Sequence, residues 1–224
     1  MGNTYDLSPT DVDGMSRDTR KVLNLLNYTK QSGSRYSASR FESAYHTIEL
    51  EGRVFEGQRN PAERLADVPF DFTNARVLDI GCNQGGMLFH LGPIIKHGVG
   101  VDYDYRMINA ANRVRILKQV HNLSFFVFDL EQENLELLDN FLEDSKTDVA
   151  FLLSICMWIV NWHEVVDYAY RVADHLLFES NGTPVQQDEQ VAYLRQKYGT
   201  VQKIRDVSHD DPSNRNRRLF FCSG

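Results

Sequence analysis

From Thr73 onward the chain alternates short apolar runs with segments of helical periodicity, which restricts it to a parallel sheet covered by helices. The strand-like runs are Arg76 to Gly81, Gly98 to Asp102, Leu123 to Phe128, Asp148 to Ser154 and His175 to Glu179. Val149 to Leu153 is apolar at every position, as suits a strand buried on both faces. Helices are expected at Gly86 to Lys96, Tyr105 to Gln119, Glu131 to Leu142, Glu164 to Asp174 and Asp188 to Tyr198, the last stopped by Gly199. Near the end the pattern changes. Thr200 to Val207 and Arg217 to Cys222 are strand-like with only the loop Ser208 to Asn216 between them, so an antiparallel hairpin should close the sheet.

Residues 1–72 stand outside the alternation. They combine a polar helical stretch, Asp18 to Lys30, with Ser-rich and Arg-rich connections, and read as a cap or extension over a domain at 73–224. A length of 224 residues fits one sizeable core and one active site. The 42% apolar and 25% charged residues are those of an ordinary globular chain. A net charge of −7 argues against a broad nucleic-acid footprint, which needs clustered Lys and Arg. Cys82, Cys156 and Cys222 are odd in number and sit in or beside apolar runs, as buried reduced thiols do. With no signal-peptide pattern and no apolar run near 18 residues, a cytoplasmic protein without a membrane span is expected.

The segment Val77 to Gly86 carries the chemistry: a buried strand, a glycine-containing loop, then a helix. In open parallel sheets ligands bind at the carboxyl ends of strands, and Gly81 and Gly85 let backbone approach closely. The next strand ends in Asp102, an acid placed to accept hydrogen bonds from both ribose hydroxyls. Loop and acid together still fit either NAD or S-adenosylmethionine. NAD requires G-x-G-x-x-G to meet a pyrophosphate, whereas Asn83 occupies the middle glycine position here. Asp79 inside the strand suits a cationic ligand and would oppose pyrophosphate.

Those residues resemble motif I of class I S-adenosylmethionine-dependent methyltransferases, over roughly residues 73–224. The resemblance implies an α/β fold, a Rossmann-like doubly wound seven-stranded sheet with a C-terminal antiparallel hairpin under an N-terminal helical cap. It also implies an adenine-binding acid at Asp129, in Phe128-Asp129-Leu130, and a border of cofactor and acceptor at Leu153 to Met157. The expected cofactor contacts are Asp79, Gly81, Cys82, Asn83, Gly85, Asp102, Tyr103, Met107, Asp129, Leu130 and Ser154. Arg59 and Arg64 join them, because an arginine fork can hold the cofactor's carboxylate.

The acceptor is less legible. Enzymes of this fold that methylate nucleic-acid amines carry an Asn/Asp-Pro-Pro-aromatic segment that Ser154 to Trp158 lacks. No metal is expected, since Ser154 opens one candidate loop and Glu179 is the lone acid of the other. His163 and Glu164 are the candidate catalytic pair, with His163 as general base because its ordinary pKa lies near neutrality; His46 and Glu179 are rivals. Tyr36, Arg53, Trp158, Asn161 and Arg217 are candidate substrate residues, with Arg40 and the basic run Asn214 to Arg218 adding to the arginine density. The pattern is similar to small bacterial enzymes that O-methylate sugars or sugar phosphates and, more loosely, to tRNA wobble-uridine enzymes. The leading expectation is therefore O-methylation of a small or chain-end, sugar-like acceptor, in one form anionic. RNA methylation is the second expectation, and a non-catalytic cofactor-binding regulator the third.

Overall fold

In a computed structural model of the chain, residues 14–30, 41–143, 146–208 and 216–224 are described. The first helix, α1 (Arg17–Thr29), is followed by a small hairpin, β1 (Ile48–Leu50) and β2 (Arg53–Phe55), and by a short helix, α2 (Pro61–Leu65). The remainder alternates: β3 (Arg76–Ile80), α3 (Gly86–Leu91), β4 (His97–Asp102), α4 (Tyr105–Leu117), β5 (Leu123–Val127), β6 (Thr147–Leu153), α5 (Trp162–Val172), β7 (Ala173–Glu179) and α6 (Pro184–Lys197). The hairpin β8 (Thr200–Arg205) and β9 (Leu219–Ser223) completes it.

The sheet has the order β5-β4-β3-β6-β7-β9-β8, with β9 antiparallel to both neighbours and the other pairs parallel. The expected Rossmann-like sheet and its terminal hairpin are therefore present. Successive strands leave β3 in opposite directions, so the carboxyl ends of β3, β4 and β6 frame the switch-point crevice where such sheets take ligands.

Alternation along each strand feeds two cores. Val77, Val149, Phe151 and Leu177 join Leu88 of α3, Ala111 of α4 and Leu23 of α1 on one face. Leu78, Ile80, Ala150 and Leu152 join Val165 of α5 and Leu194 of α6 on the other. The continuous apolar run Val149 to Leu153 within β6 follows from covering both faces.

Three elements differ from expectation. Glu131 to Leu142 was expected to be α-helical, but Leu135–Phe141 is a 3-10 helix. It buries only Leu138, so little apolar surface favours a regular amphipathic helix, and the Asn140 side chain donates to Leu137 O instead. The helix after the glycine loop stops at Leu91 rather than Lys96, since Gly92 and Pro93 follow and proline has no N–H to continue it. The last helix starts earlier, at Pro184, because Thr183 and Gln186 form a capping box. The small β1–β2 hairpin and α2 had no counterpart among the expected elements. In the described residues no helix is long and apolar enough to cross a membrane.

The N-terminal elements reach the ligand loop by defined bonds. Gln84 Oε1 accepts from the backbone N–H of Tyr45 and of His46, both at 3.2 Å, while its Nε2 donates to Thr29 Oγ1 at 2.7 Å. Gly86 N donates to His46 Nδ1 at 3.3 Å.

Candidate active site

A cavity of about 550 Å³ opens at the switch point, lined by the ends of β4 and β6 and by the turns that follow β3, β4, β5 and β6. Its first wall is the glycine loop. The N–H groups of Gly81 and Cys82 both donate to Val101 O, which folds the loop back over β4. Gly81, Asn83 and Gly85 all have φ between 52° and 80°. Asparagine tolerates this left-handed conformation, so Asn83 in place of glycine preserves the loop.

Gly85, expected among the cofactor contacts, does not line the cavity. Its requirement is packing: a Cβ there would lie 2.5 Å from the Phe125 ring, at φ 75°. Gly85→Ala should lower stability by about 1–3 kcal/mol through this overlap and the unfavourable φ. An unchanged thermal midpoint would contradict the account.

Asp102 adjoins that wall at the end of β4. Burial raises its pKa to about 6 against the backbone bonds that favour the carboxylate. Asn83 N donates to Oδ2 at 2.8 Å and Asp104 N to Oδ1 at 2.9 Å, which fixes the carboxylate at the cavity edge. Tyr103, Met107, Asp129, Leu130 and Ser154 also line the cavity, as do Phe128 and Ile155, so most of the expected cofactor set is brought together. Tyr45 from the N-terminal segment lines it too, a residue the sequence did not single out.

Asp79 and Cys82 lie beneath the lining rather than in it. Asp79 is 2% exposed, and its Oδ2 has no hydrogen-bond partner among the described residues. Burial pushes its carboxyl up to about 7, with Arg64 pulling the other way. The Cys82 thiol is buried and pushed well up by the same desolvation, so it is an inert packing group.

Arg59 and Arg64 were expected to reach ligand carboxylates, but both are turned onto Glu179. Arg59 Nη2 donates to Glu179 Oε1 and Oε2 at 2.9 and 3.0 Å, and Arg64 Nη2 to Oε2 at 2.6 Å. Ser154 Oγ donates to the same carboxylate, and Arg217 Nη1 approaches it at 4.0 Å, so Arg217 is also drawn inward and does not line the cavity. Burial alone would raise the Glu179 carboxyl, but the two guanidiniums and the Ser154 bond outweigh it and hold it far below the usual range. Glu179 is thus a structural counter-ion rather than a catalytic rival.

The expected catalytic pair is not brought to the cavity either. His163 and Glu164 are exposed in the first turn of α5 and neither lines the cavity. His163 stacks on Trp162 with ring centroids 3.6 Å apart. His46 is fully buried, and its pKa is lowered well below the usual value by burial and then by Arg64 and Arg59, so it is a neutral acceptor for Gly86. Of the substrate candidates among the described residues only Trp158 lines the cavity. Arg53 pairs with Glu42 at 3.5 Å, and Asn161 Nδ2 donates to Leu130 O at 2.7 Å, positioning the loop before α5. Tyr36, Arg40, Asn214 and Arg215 lie outside the described residues.

Comparison with known proteins decides the family, because the model of the methyltransferase domain family matches residues 53–208. The chain belongs to this family. Among curated relatives, a putative methyltransferase (235L) of Invertebrate iridescent virus 6 is 31% identical over 91 residues, covering 40% of this chain and 29% of that protein. Aklanonic acid methyltransferase DauC of Streptomyces sp. (strain C5) is 28% identical over 113 residues, covering 49% of this chain and 51% of that one. The matches therefore span from under a third to about half of the relatives' length. Among solved structures, the N-terminal domain of EvdMO1, determined in the presence of SAH and D-fucose, has a TM-score of 0.63 at 12% identity, covering 92% of the methyltransferase chain and 97% of its own. WbdD, determined with the kinase inhibitor LY294002, has a TM-score of 0.62 at 20% identity, covering 88% and 47%. These two similarities establish the shared fold.

Proposed function

We propose that the cavity binds S-adenosylmethionine and that the chain transfers its methyl group to a hydroxyl of a small or chain-end, sugar-like acceptor. The observation that carries the cofactor is the pair of carboxylates at the ends of adjacent strands. Asp102 stands at the cavity edge with two oxygens suited to ribose hydroxyls. Asp79, beneath the glycine loop, has a buried oxygen still lacking a donor, and an α-ammonium group is a donor of matching charge. Phe128, Leu130 and Met107 offer apolar surface for an adenine ring, with Asp129 beside them. Around Glu179, Arg59 and Arg64 pair with its carboxylate and Arg217 approaches it, and Arg64 also acts on Asp79. The residues present fit the cofactor in polarity and charge.

When bound, S-adenosylmethionine supplies an electrophilic methyl group on a sulfonium. The chain's own residues bind, orient and exclude water. Ser154, with φ 64°, and Ile155 form the border between the cofactor wall and Trp158. Ser154 is held by Glu179 and by Asn181 Nδ2, which donates to its carbonyl, so the border is rigid. No histidine is among the described lining residues; as the new C–O bond forms and the C–S bond breaks, the acceptor hydroxyl's proton passes to a lining carboxylate, Asp129 or Glu131, and rate acceleration rests chiefly on positioning for in-line displacement.

Cofactor affinity should depend on pH. Asp79 binds an ammonium group as the carboxylate, and its pKa in the free protein is about 7. Below that value a proton must leave on binding, so affinity for S-adenosylhomocysteine should fall by up to about tenfold per pH unit, more steeply once Asp102 titrates near 6. Asp79→Asn should bind more weakly at pH 8 and flatten the slope between 6 and 7. Calorimetry across this range checks it, and a flat wild-type profile would refute the role of Asp79.

The whole reading is tested by transfer of labelled methyl groups to neutral glycosides, sugar phosphates and tRNA. Label in a sugar hydroxyl is expected. Label in RNA alone, or cofactor binding without transfer to any acceptor, would overturn it.

A further inference from the structure

Beside the cofactor cavity lies a second one of about 280 Å³, and Trp158 and Ile159 line both. Its floor comes from α6 through Gln186, Glu189 and Gln190, and Trp162 closes the side toward α5. Resting on the reading of the first cavity as the cofactor site, we propose that the second is an acceptor subsite for an uncharged, hydroxyl-rich ring, whose reacting hydroxyl reaches past Trp158 toward the cofactor.

The side chains specify that chemistry. The chain has two tryptophans, and both line this cavity. Indole faces take the apolar C–H face of a saturated ring, burying area without a charge. Trp158 is 39% exposed, which leaves surface for a ligand to cover. Trp162 is fixed by stacking on His163 and by an edge contact with Tyr193 at 5.4 Å.

The polar side of the cavity favours hydroxyl groups over anions. Gln190 is fully committed, since Asn181 N donates to its Oε1 and its Nε2 donates to Asn181 O, so it sets the floor. Gln186 Oε1 accepts from Thr183 N, which orients its amide group. Glu189 is exposed and has no hydrogen bond or ion pair among the described residues, leaving a carboxylate to accept from ring hydroxyls. No lysine or arginine is among the described lining residues, and the buried arginines nearby are turned to Glu179. A phosphate or carboxylate here would face Glu189 with no cation among the described lining residues to offset the repulsion. The anionic form of the expected acceptor is thereby disfavoured.

The two tryptophans supply the test. In Trp158→Phe the remaining indole, Trp162, lines the second cavity and not the first. Its emission is followed while methyl pyranosides of gluco, galacto, manno and 6-deoxy configuration, and the matching sugar phosphates, are titrated with S-adenosylhomocysteine saturating. At least one pyranoside should give a saturable change, with its phosphate at least about tenfold weaker. Glu189→Lys should weaken that pyranoside by about tenfold or more, as loss of a charged hydrogen-bond acceptor requires. The same titration of the wild-type chain provides the readout if the Phe variant does not fold. The subsite is refuted if no pyranoside changes the emission up to tens of millimolar while S-adenosylhomocysteine binds, or if the phosphates bind more tightly. Failure of S-adenosylhomocysteine itself to bind would instead refute the cofactor reading.

Discussion

Replacing Glu179 by alanine should lower the stability of the folded chain by about 3–5 kcal/mol, because two buried guanidiniums would be left without their counter-ion. Arg59 is 0% exposed and Arg64 2%, so neither can return to solvent without opening the N-terminal segment. Glu179→Gln keeps the shape and some of the bonds but not the charge, and should fall between wild type and alanine. Chemical denaturation measures both, and a change below 1 kcal/mol in the alanine variant would contradict the structural role assigned to this carboxylate. The pH dependence follows. The folded-state pKa of Glu179 is depressed, so its contribution is complete above the unfolded value and lost as pH falls through the folded one. Asp79 and Asp102 act in the opposite sense. Their folded pKa values are raised, so their burial costs stability above about 7 and the cost is relieved on acidification toward 4.

The second large effect concerns Asp102. Asp102→Ala should weaken S-adenosylhomocysteine by about 100-fold or more, since two hydrogen bonds to a charged acceptor are lost at about 1.5–3 kcal/mol each. The same carboxylate accepts from Asn83 N and Asp104 N, so the alanine variant also loosens the glycine loop. Asp102→Asn retains one acceptor oxygen and should lose less affinity. If both variants bind as tightly as wild type, the cavity does not hold a ribose at this edge.

The sheet was legible in the sequence because strands covered on both faces carry continuous apolar residues, as Val149 to Leu153 does. The cofactor wall was legible for a different reason. Strand, left-handed loop and acid at the end of the next strand are local features, and local spacing fixes where Gly81, Asn83 and Asp102 fall. Arg59, Arg64 and Arg217 could not be placed in this way, because their partner Glu179 lies far from them along the chain and only the tertiary fold brings the four together. Two basic forks beside a binding motif look like ligand contacts until their counter-ion is known. His163 could not be placed from sequence either. Its position in the first turn of α5 is near the switch point in sequence, but the turn Cys156–Trp158 precedes it and His163 is exposed beside Trp162. Tyr45 went unnoticed because nothing local marks it, and bonds to distant residues such as Gln84 and Arg59 hold its segment at the cavity.

Isothermal titration of the wild-type chain with S-adenosylhomocysteine at pH 8, set against NAD under the same conditions, tests the central claim most directly. Saturable binding of one S-adenosylhomocysteine per chain, with no measurable heat from NAD, is the predicted result. Binding of NAD, or of neither ligand, would contradict it.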